Sequence, residues 1–235
     1  MPRKVRFYQP GIPVHVFQRG HNKAAVFFQD EDYHEYLRCL KAAADACGCA
    51  VHAYVLMTNH VHLLLTPDTA EGISRFFRQL GLHFVSYINR TYQRRGSLWE
   101  GRHKGSMIDS EGYLLSCMRY IEMNPVRAGM VEHPASYRWS SYAANALGRD
   151  HAIIQPHATY LALGQDVSSR LQAYHSLFSL QQEQDELDLI RASLSSSTPL
   201  GNDRFKQQIE LAAGRKIGCI RPGRPKKYKL DVQGF

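Results

Sequence analysis

The chain has 235 residues, of which 44% are hydrophobic, and this is enough apolar material to bury a globular core. Its formal net charge of +8 at pH 7 favours a polyanionic partner, most simply a nucleic acid. The sequence has no run of about 20 apolar residues, and its basic N-terminus lacks an apolar stretch, so we predict neither a membrane span nor a secretory signal.

Strands and helices alternate in the first part of the chain. In order, we predict a strand at 14–19, a helix at 30–46, strands at 51–57 and 60–66, a helix at 72–92, a strand at 105–109 and a helix at 110–124. Pro125 disfavours helical geometry at the residue before it, so the last of these helices should end near Asn124. This order favours an α+β fold, an antiparallel sheet with its helices packed on one face.

The sequence changes character after about residue 145. Further helices are predicted at 167–179, 181–194 and 205–213, and a basic segment follows them. We therefore predict a principal domain at 1–145, a helical extension at 146–213 and a flexible basic tail at 214–235.

The basic tail contains three candidate DNA contacts, Arg224, Lys226 and Lys227. Their surroundings partly match an AT-hook core, although Pro222 stands where that motif usually has arginine. We favour the interpretation that the tail raises non-specific affinity for DNA.

The five cysteines are odd in number and lack paired Cys-x-x-Cys spacing. They are Cys39, Cys47, Cys49, Cys117 and Cys219. We interpret them as reduced thiols, which is typical of a cytoplasmic protein, and a DNA-binding one would be associated with the nucleoid.

His60 and His62 are two residues apart in a predicted strand, so their side chains lie on the same face of the sheet. Val61, Leu63 and Leu65 lie on the opposite face, where they are expected to enter the core. Two neighbouring imidazoles suit a divalent metal ion. The alternative is a strand with two outward polar histidines and no ligand.

Tyr120 and Asn124 are four residues apart in a predicted helix and share one of its faces. If that face meets His60 and His62, a phenol and a carboxamide join two imidazoles, a set suited to metal-assisted attack on a phosphodiester. A core or interface tyrosine is the alternative for Tyr120. Tyr113 is a rival nucleophile on nearly the same helix face.

Basic and aromatic residues are concentrated between residues 90 and 104, which makes this segment a candidate contact with a DNA strand. The candidates there are Arg94, Arg95, Trp99, Arg102 and Lys104. Trp99 either stacks on an unpaired base or fills the core. Arg19 and Asn22, near the end of the first strand, are weaker candidates.

Four segments resemble the REP-associated tyrosine transposases, which are single-strand DNA transposases of the HUH type. They are residues 51–65 (VHAYVLMTNHVHLLL), 96–102 (GSLWEGR), 120–129 (YIEMNPVRAG) and 137–142 (YRWSSY). The resemblance extends from about Val14 to Tyr142 and weakens after about residue 150. It implies a ferredoxin-like or RRM-like core, with residues 1–145 as the catalytic domain.

The resemblance also implies a chemistry for these residues. Tyr120 would attack the scissile phosphate and become joined to the 5′ end of the DNA. His60 and His62 would bind Mg²⁺ or Mn²⁺, with Asn124 at the position of a third ligand that is glutamine in many members of the wider superfamily. The implied function is metal-dependent single-strand DNA cleavage and strand transfer on hairpins of repetitive extragenic palindromes, by a monomer or a homodimer.

Two other functions use the same residues differently. A non-catalytic DNA-binding regulator on this fold would have lost His60, His62 or Tyr120, and all three are present. A metallohydrolase that uses a metal-bound water would need a carboxylate near the histidines, and the hairpin at 51–65 has none.

Overall fold

An antiparallel sheet of four strands lies at the centre of the part of the chain that the computed structural model describes, residues 6–180 and 182–217. The strands are β1 (Val14–Arg19), β2 (Cys49–Met57), β3 (His60–Pro67) and β4 (Lys104–Met107), in the spatial order β2-β3-β1-β4. β1 pairs with β3 from Val14 opposite Leu65 to Arg19 opposite His60. The predicted antiparallel α+β fold is confirmed.

Two long helices cover the first face of the sheet. They are α1 (Asp30–Cys47), which ends at Gly48 in the left-handed conformation, and α2 (Gly72–Thr91). Their apolar residues share one core with Val61, Leu63 and Leu65, the strand residues predicted to point inward. Burial of this apolar surface is the main stabilising contribution on this side.

The second face of the sheet is covered as well, whereas the sequence predicted helices on one face only. Val55 and Leu64 on this face are fully buried against α3 (Leu114–Glu122) and the helices after residue 146. An antiparallel sheet leaves a face to water only where its residues are polar, and these are apolar. The helices that follow α3 are α4 (Asn124–Arg127), α5 (Tyr142–Asn145), α6 (Ala158–Leu161), α7 (Val167–Ser176), α8 (Gln184–Ser196) and α9 (Asp203–Ala213).

A buried carboxylate joins α3 to the later helices. Glu122 accepts hydrogen bonds from Ser141 Oγ (2.5 Å), Asn145 Nδ2 (2.8 Å) and the Tyr174 hydroxyl (2.8 Å). Burial raises the pKa of Glu122 to about 7, and its three donors counter part of that effect. Because Tyr174 lies in the predicted helical extension, this carboxylate links the extension to the principal domain. The predicted boundary at residue 145 stays a prediction.

The helix that carries Tyr120 is shorter than the predicted segment 110–124. Residues 110–113 form a turn in which the Tyr113 N–H donates to the Asp109 carbonyl, so that α3 begins only at Leu114. α3 ends at Glu122, and Pro125 lies in the first turn of α4, where its missing N–H costs nothing. Within residues 6–180 and 182–217, no helix combines the length and apolar character needed to cross a bilayer.

Candidate active site

A cleft of about 430 Å³ opens where β1, β3, α3 and α8 meet. It brings together residues that are distant in the sequence. The lining residues are Phe17, Arg19, Lys23, Asn59, His60, His62, Lys104, Tyr120, Asn124, Arg191, Leu194 and Ser195. The predicted meeting of Tyr120 and Asn124 with His60 and His62 is therefore present in the structure.

The two histidines of β3 present neighbouring rings to this cleft. Their ring centroids are 5.4 Å apart and their planes are nearly perpendicular, at 82°. The Nδ1 of His60 lies 2.7 Å from Asn59 Oδ1, and because a carboxamide oxygen only accepts, Nδ1 must be the donor. The amide of Asn59 is itself oriented by donation from Nδ2 to the Lys23 carbonyl (2.9 Å). His60 therefore keeps Nε2 unprotonated and free for a ligand role.

Both imidazoles are neutral at pH 7. Burial, assisted by the nearby Arg19, lowers the pKa of His60 to about 4. Burial also lowers the pKa of His62 well below its usual value, and the neighbouring His15 and His60 add to this effect. A neutral imidazole is the form that binds metal ions, so the environment favours a ligand role over a cationic one.

Tyr120 is buried apart from 6% of its surface, with its ring edge-on to His62 at a centroid distance of 5.8 Å. The guanidinium of Arg127 covers the ring and donates from Nη2 to the Tyr120 carbonyl. Two sides of the tyrosine are therefore fixed, by a histidine and by an arginine. Tyr113, the rival nucleophile, is not among the residues that line the cleft.

Asn124 is oriented by its own helix. Its Nδ2 donates to the carbonyls of Tyr120 (3.0 Å) and Ile121 (3.2 Å), which leaves Oδ1 as the free acceptor. Among the described residues, no group of three or more His, Cys, Asp or Glu side chains could hold a metal ion. Two imidazoles and a carboxamide oxygen are nonetheless a donor set compatible with Mn²⁺ or Mg²⁺.

The charge of the cleft is positive. Arg19, Lys23, Lys104 and Arg191 line it, and none of the described residues in its wall is acidic. Arg19 is also paired with Glu100, outside the cleft, at 2.7 Å. A basic, acid-free wall attracts a phosphodiester.

The predicted DNA contacts fall into separate groups. Arg19 and Lys104 line the cleft, and together with Arg102 they also line an adjoining groove of about 280 Å³. Asn22 is exposed in a 3₁₀ turn, while Arg94 lies over the ring of Phe28 at 5.8 Å. Asn22, Arg94 and the exposed Arg95 all lie outside the wall of the cleft. The predicted contacts of the tail, Arg224, Lys226 and Lys227, lie outside the described residues.

Trp99 was predicted either to stack on a base or to fill the core, and the structure places it in the core. Only 8% of its surface is exposed, and its ring packs 6.3 Å from that of Phe84 in α2. Such a buried indole offers little surface to an unpaired base. The core alternative is therefore confirmed, and the prediction that Trp99 contacts DNA is wrong.

Sequence reasoning missed four residues of the site and its support, His15, Lys23, Arg127 and Arg191. Arg127 stands two residues after Pro125, so the Asn124-Pro125 pair was a local signal for it. Arg191 lies on α8, far along the chain from Tyr120, and only the packing of α8 against the sheet brings it to the cleft.

Comparisons with known proteins identify the class of this fold. The sequence model of the family described as IS200-like transposases matches residues 9–124. A solved structure of a REP-associated tyrosine transposase bound to a REP hairpin has a TM-score of 0.54 and 18% identity, and the match covers 71% of this chain and 99% of that one. A transposase structure from Deinococcus radiodurans R1 is also 18% identical, over 55% of this chain and 92% of that one, but its TM-score of 0.37 is too low to bear on the fold. A search of curated proteins found no match.

The fold and the family match together define a protein of the transposase class. Residues 9–124, which include His60, His62, Tyr120 and Asn124, match the model of the IS200-like transposase family. The family resemblance predicted from the sequence motifs is confirmed.

Proposed function

We propose that this protein is a metal-dependent single-strand DNA endonuclease and strand transferase that acts through a 5′-phosphotyrosine intermediate. The observation that carries this proposal is the position of Tyr120 in one basic cleft with His60, His62 and Asn124. The family match supports a transposase role, and the site residues supply its chemistry.

Binding of the DNA strand begins with charge. Arg19, Lys23, Lys104 and Arg191 surround the cleft and attract the phosphodiester backbone. Binding of this kind is independent of base sequence, so sequence preference has to come from other contacts.

The chemical step is an exchange of phosphodiester bonds. The Tyr120 hydroxyl loses its proton as its oxygen forms a bond to the scissile phosphorus, and the bond from phosphorus to the 3′ oxygen breaks. The leaving oxygen takes up a proton and becomes a 3′-OH, so the step consumes no proton overall. Mg²⁺ or Mn²⁺ bound by His60, His62 and Asn124 would supply Lewis-acid polarisation of the phosphate. Arg127, which covers the tyrosine ring, holds the nucleophile in one orientation and adds positive charge beside it.

The covalent intermediate preserves the energy of the broken bond. A second 3′-OH that attacks the phosphotyrosine rejoins the strand and releases the Tyr120 hydroxyl, without an external energy source. Cleavage and strand transfer are thus the forward and reverse directions of one reaction.

The proposed substrate is a DNA hairpin with a single-stranded flank, of the kind found in repetitive extragenic palindromes. The solved relative with this fold is bound to a REP hairpin, which supports the choice. Shape and backbone contacts are sufficient to recognise a stem and its flank, and they agree with a basic cleft.

The test is to mix the purified protein with labelled single-stranded hairpins from the flanks of its own gene, in Mn²⁺ or Mg²⁺. We expect a protein–DNA adduct that survives denaturing electrophoresis and disappears with Tyr120→Phe or with a chelator. Tyr113→Phe is the matched control, because it removes a tyrosine hydroxyl close to α3 but outside the cleft, and should leave the adduct.

Two results would contradict the proposal. Cleavage that persists in Tyr120→Phe would assign the nucleophile to Tyr113 or to water. Tight binding of every hairpin without any adduct would favour a DNA-binding regulator on the same fold.

A further inference from the structure

His15 is a buried neighbour of the candidate metal site that the proposed chemistry does not use. It lies on β1, opposite Leu64 of β3 and Ser106 of β4, and no part of its surface is exposed. Residues opposite each other in antiparallel strands share a face, so His15 lies on the same face as Leu64 and, two residues away, His62.

A hydrogen bond joins the two histidine rings. His15 Nε2 and His62 Nδ1 are 2.9 Å apart, with ring centroids separated by 5.1 Å. Such a bond requires an N–H on one ring and a lone pair on the other, and a neutral imidazole can supply either at a given nitrogen. Two proton arrangements are therefore compatible with this distance.

Only one arrangement leaves His62 able to bind a cation. If His15 donates, His62 carries its hydrogen on Nε2, which then has no lone pair for a metal. If His62 donates from Nδ1, its Nε2 is free. His60 is already fixed in the equivalent state by Asn59 Oδ1, so a matching state of His62 would present two Nε2 lone pairs to one ion.

The other nitrogen of His15 makes the pair adjustable. His15 Nδ1 is buried and has no hydrogen-bond partner within the described residues. Neither arrangement is therefore fixed by a partner on the far side of the ring. A cation at His62 Nε2 selects the arrangement in which His15 accepts.

We propose that His15 is a positioning residue of the metal site: its Nε2 accepts the Nδ1 hydrogen of His62, orients that ring and leaves His62 Nε2 available to the cation. This inference rests on the proposed metal-dependent function and adds a residue to its support. His15 also contacts the nucleophile edge-on, with a centroid distance of 5.7 Å to Tyr120, so one ring holds both the ligand and the tyrosine in place. Partners of ligating histidines commonly have this role in metal sites.

The first test is Mn²⁺ affinity, measured from the EPR signal of the free ion. His15→Phe keeps the ring volume and removes the acceptor, and we expect binding to weaken about 10- to 100-fold. His15→Gln places an amide oxygen near the position of Nε2, and we expect it to restore most of the affinity. His103→Phe is the matched control, because it replaces a buried histidine on the other side of the sheet, stacked on Phe77, and should bind Mn²⁺ as the wild type does.

The second test does not depend on a variant. In the Mg²⁺-loaded wild-type protein with ¹⁵N-labelled histidine, we expect a nitrogen–nitrogen coupling across the hydrogen bond, with the hydrogen attached to His62 Nδ1. This measurement still decides the matter if His15→Phe fails to fold.

The outcomes separate this inference from the proposed function. Mn²⁺ affinity unchanged in a folded His15→Phe variant, or a hydrogen found on His15 Nε2, would overturn the role of His15. Absence of Mn²⁺ binding by the wild type would overturn the metal-dependent function, while the coupling would still report which ring donates.

Discussion

The guanidinium carbon of Arg127 lies 4.3 Å from the centroid of the Tyr120 ring. Burial lowers the pKa of Arg127 to about 10, so the group is still charged at neutral pH. A charged guanidinium over an aromatic face is attracted to the ring, and the attraction is strongest where water is excluded. Arg127 therefore fixes the ring of the proposed nucleophile and places a positive charge beside it.

Arg127→Gln should slow formation of the phosphotyrosine adduct by about 10- to 30-fold, which corresponds to the loss of about 2 kcal/mol from a desolvated cation–π contact. Arg127→Lys keeps a charge but loses the planar contact, and should lie between the wild type and Gln. Single-turnover rates of adduct formation measure the effect.

Arg138 offers the matched control for this experiment. It lies over the ring of Trp139 at 4.2 Å, the same kind of contact, but its side chain is 59% exposed and outside the cleft. Arg138→Gln should leave the adduct rate within about twofold of the wild type. An equal loss in both variants would show that Arg127 acts through general stability.

Arg191, a residue of α8, lines the cleft. It lies beside Tyr120 in the wall of the cleft, interacts with it electrostatically and is paired with Asp188 at 3.0 Å. We expect Arg191→Gln to weaken binding of a single-stranded hairpin and to reduce the slope of log affinity against log salt by about one unit. Fluorescence anisotropy at several salt concentrations measures both quantities.

Lys206 is the control for Arg191, since it also belongs to an ion pair three residues apart on a C-terminal helix, with Asp203 at 3.7 Å. It does not line the cleft. Lys206→Gln should leave the salt slope unchanged. If Arg191→Gln also leaves it unchanged, Arg191 does not contact a phosphate.

The local geometry of the site could be predicted from the sequence because it follows from short-range periodicity. Alternation along β3 placed His60 and His62 on one face, and helical spacing placed Tyr120 and Asn124 together. The meeting of the two pairs came from the family resemblance rather than from the spacing. Arg191 could not be predicted, because its place in the cleft depends on how α8 packs, and no local pattern reports that.

The second helical layer was missed although the sequence contained a signal for it. Residues 53–57 and 63–65 are apolar at almost every position, whereas a sheet with one face in water alternates apolar and polar residues. A continuous apolar run indicates burial on both faces. For Trp99 the sequence contained no deciding signal. An aromatic residue among arginines has the same local pattern whether it stacks on a base or packs in the core.

Asn124 has a capping role in the structure and a proposed ligand role, and a pair of variants can separate the two. Its Nδ2 caps the carbonyls of Tyr120 and Ile121, and its Oδ1 is the proposed ligand atom. Asn124→Ala removes both and should weaken Mn²⁺ binding by about 10-fold. Asn124→Asp removes the cap but supplies an oxygen with a negative charge, and should bind Mn²⁺ at least as tightly as the wild type. Isothermal titration calorimetry with Mn²⁺ gives both affinities, and equal weakening in the two variants would leave Asn124 only the capping role.

His52 gives the fold a dependence on pH that is independent of the cleft. Its side chain is 4% exposed, donates from Nδ1 to the Gln155 carbonyl (2.6 Å) and accepts at Nε2 from the Thr66 hydroxyl (2.8 Å). Burial lowers the pKa of His52 to about 4 from the ordinary value of 6.5. As pH falls below 6.5 the unfolded chain takes up this proton before the folded chain does, so stability that is complete above pH 6.5 is lost towards pH 4. The loss from this group is at most about 3 kcal/mol.

His52→Gln should therefore lose less stability than the wild type between pH 6.5 and pH 4, by up to the same amount. Urea unfolding at steps of pH gives the free energy of unfolding for both proteins, and the difference between the two curves isolates His52 from the other buried histidines, which act in the same direction. His83→Gln, which removes an exposed histidine from α2, controls for the loss of one ring. Parallel curves for the wild type and His52→Gln would show that His52 does not couple folding to pH.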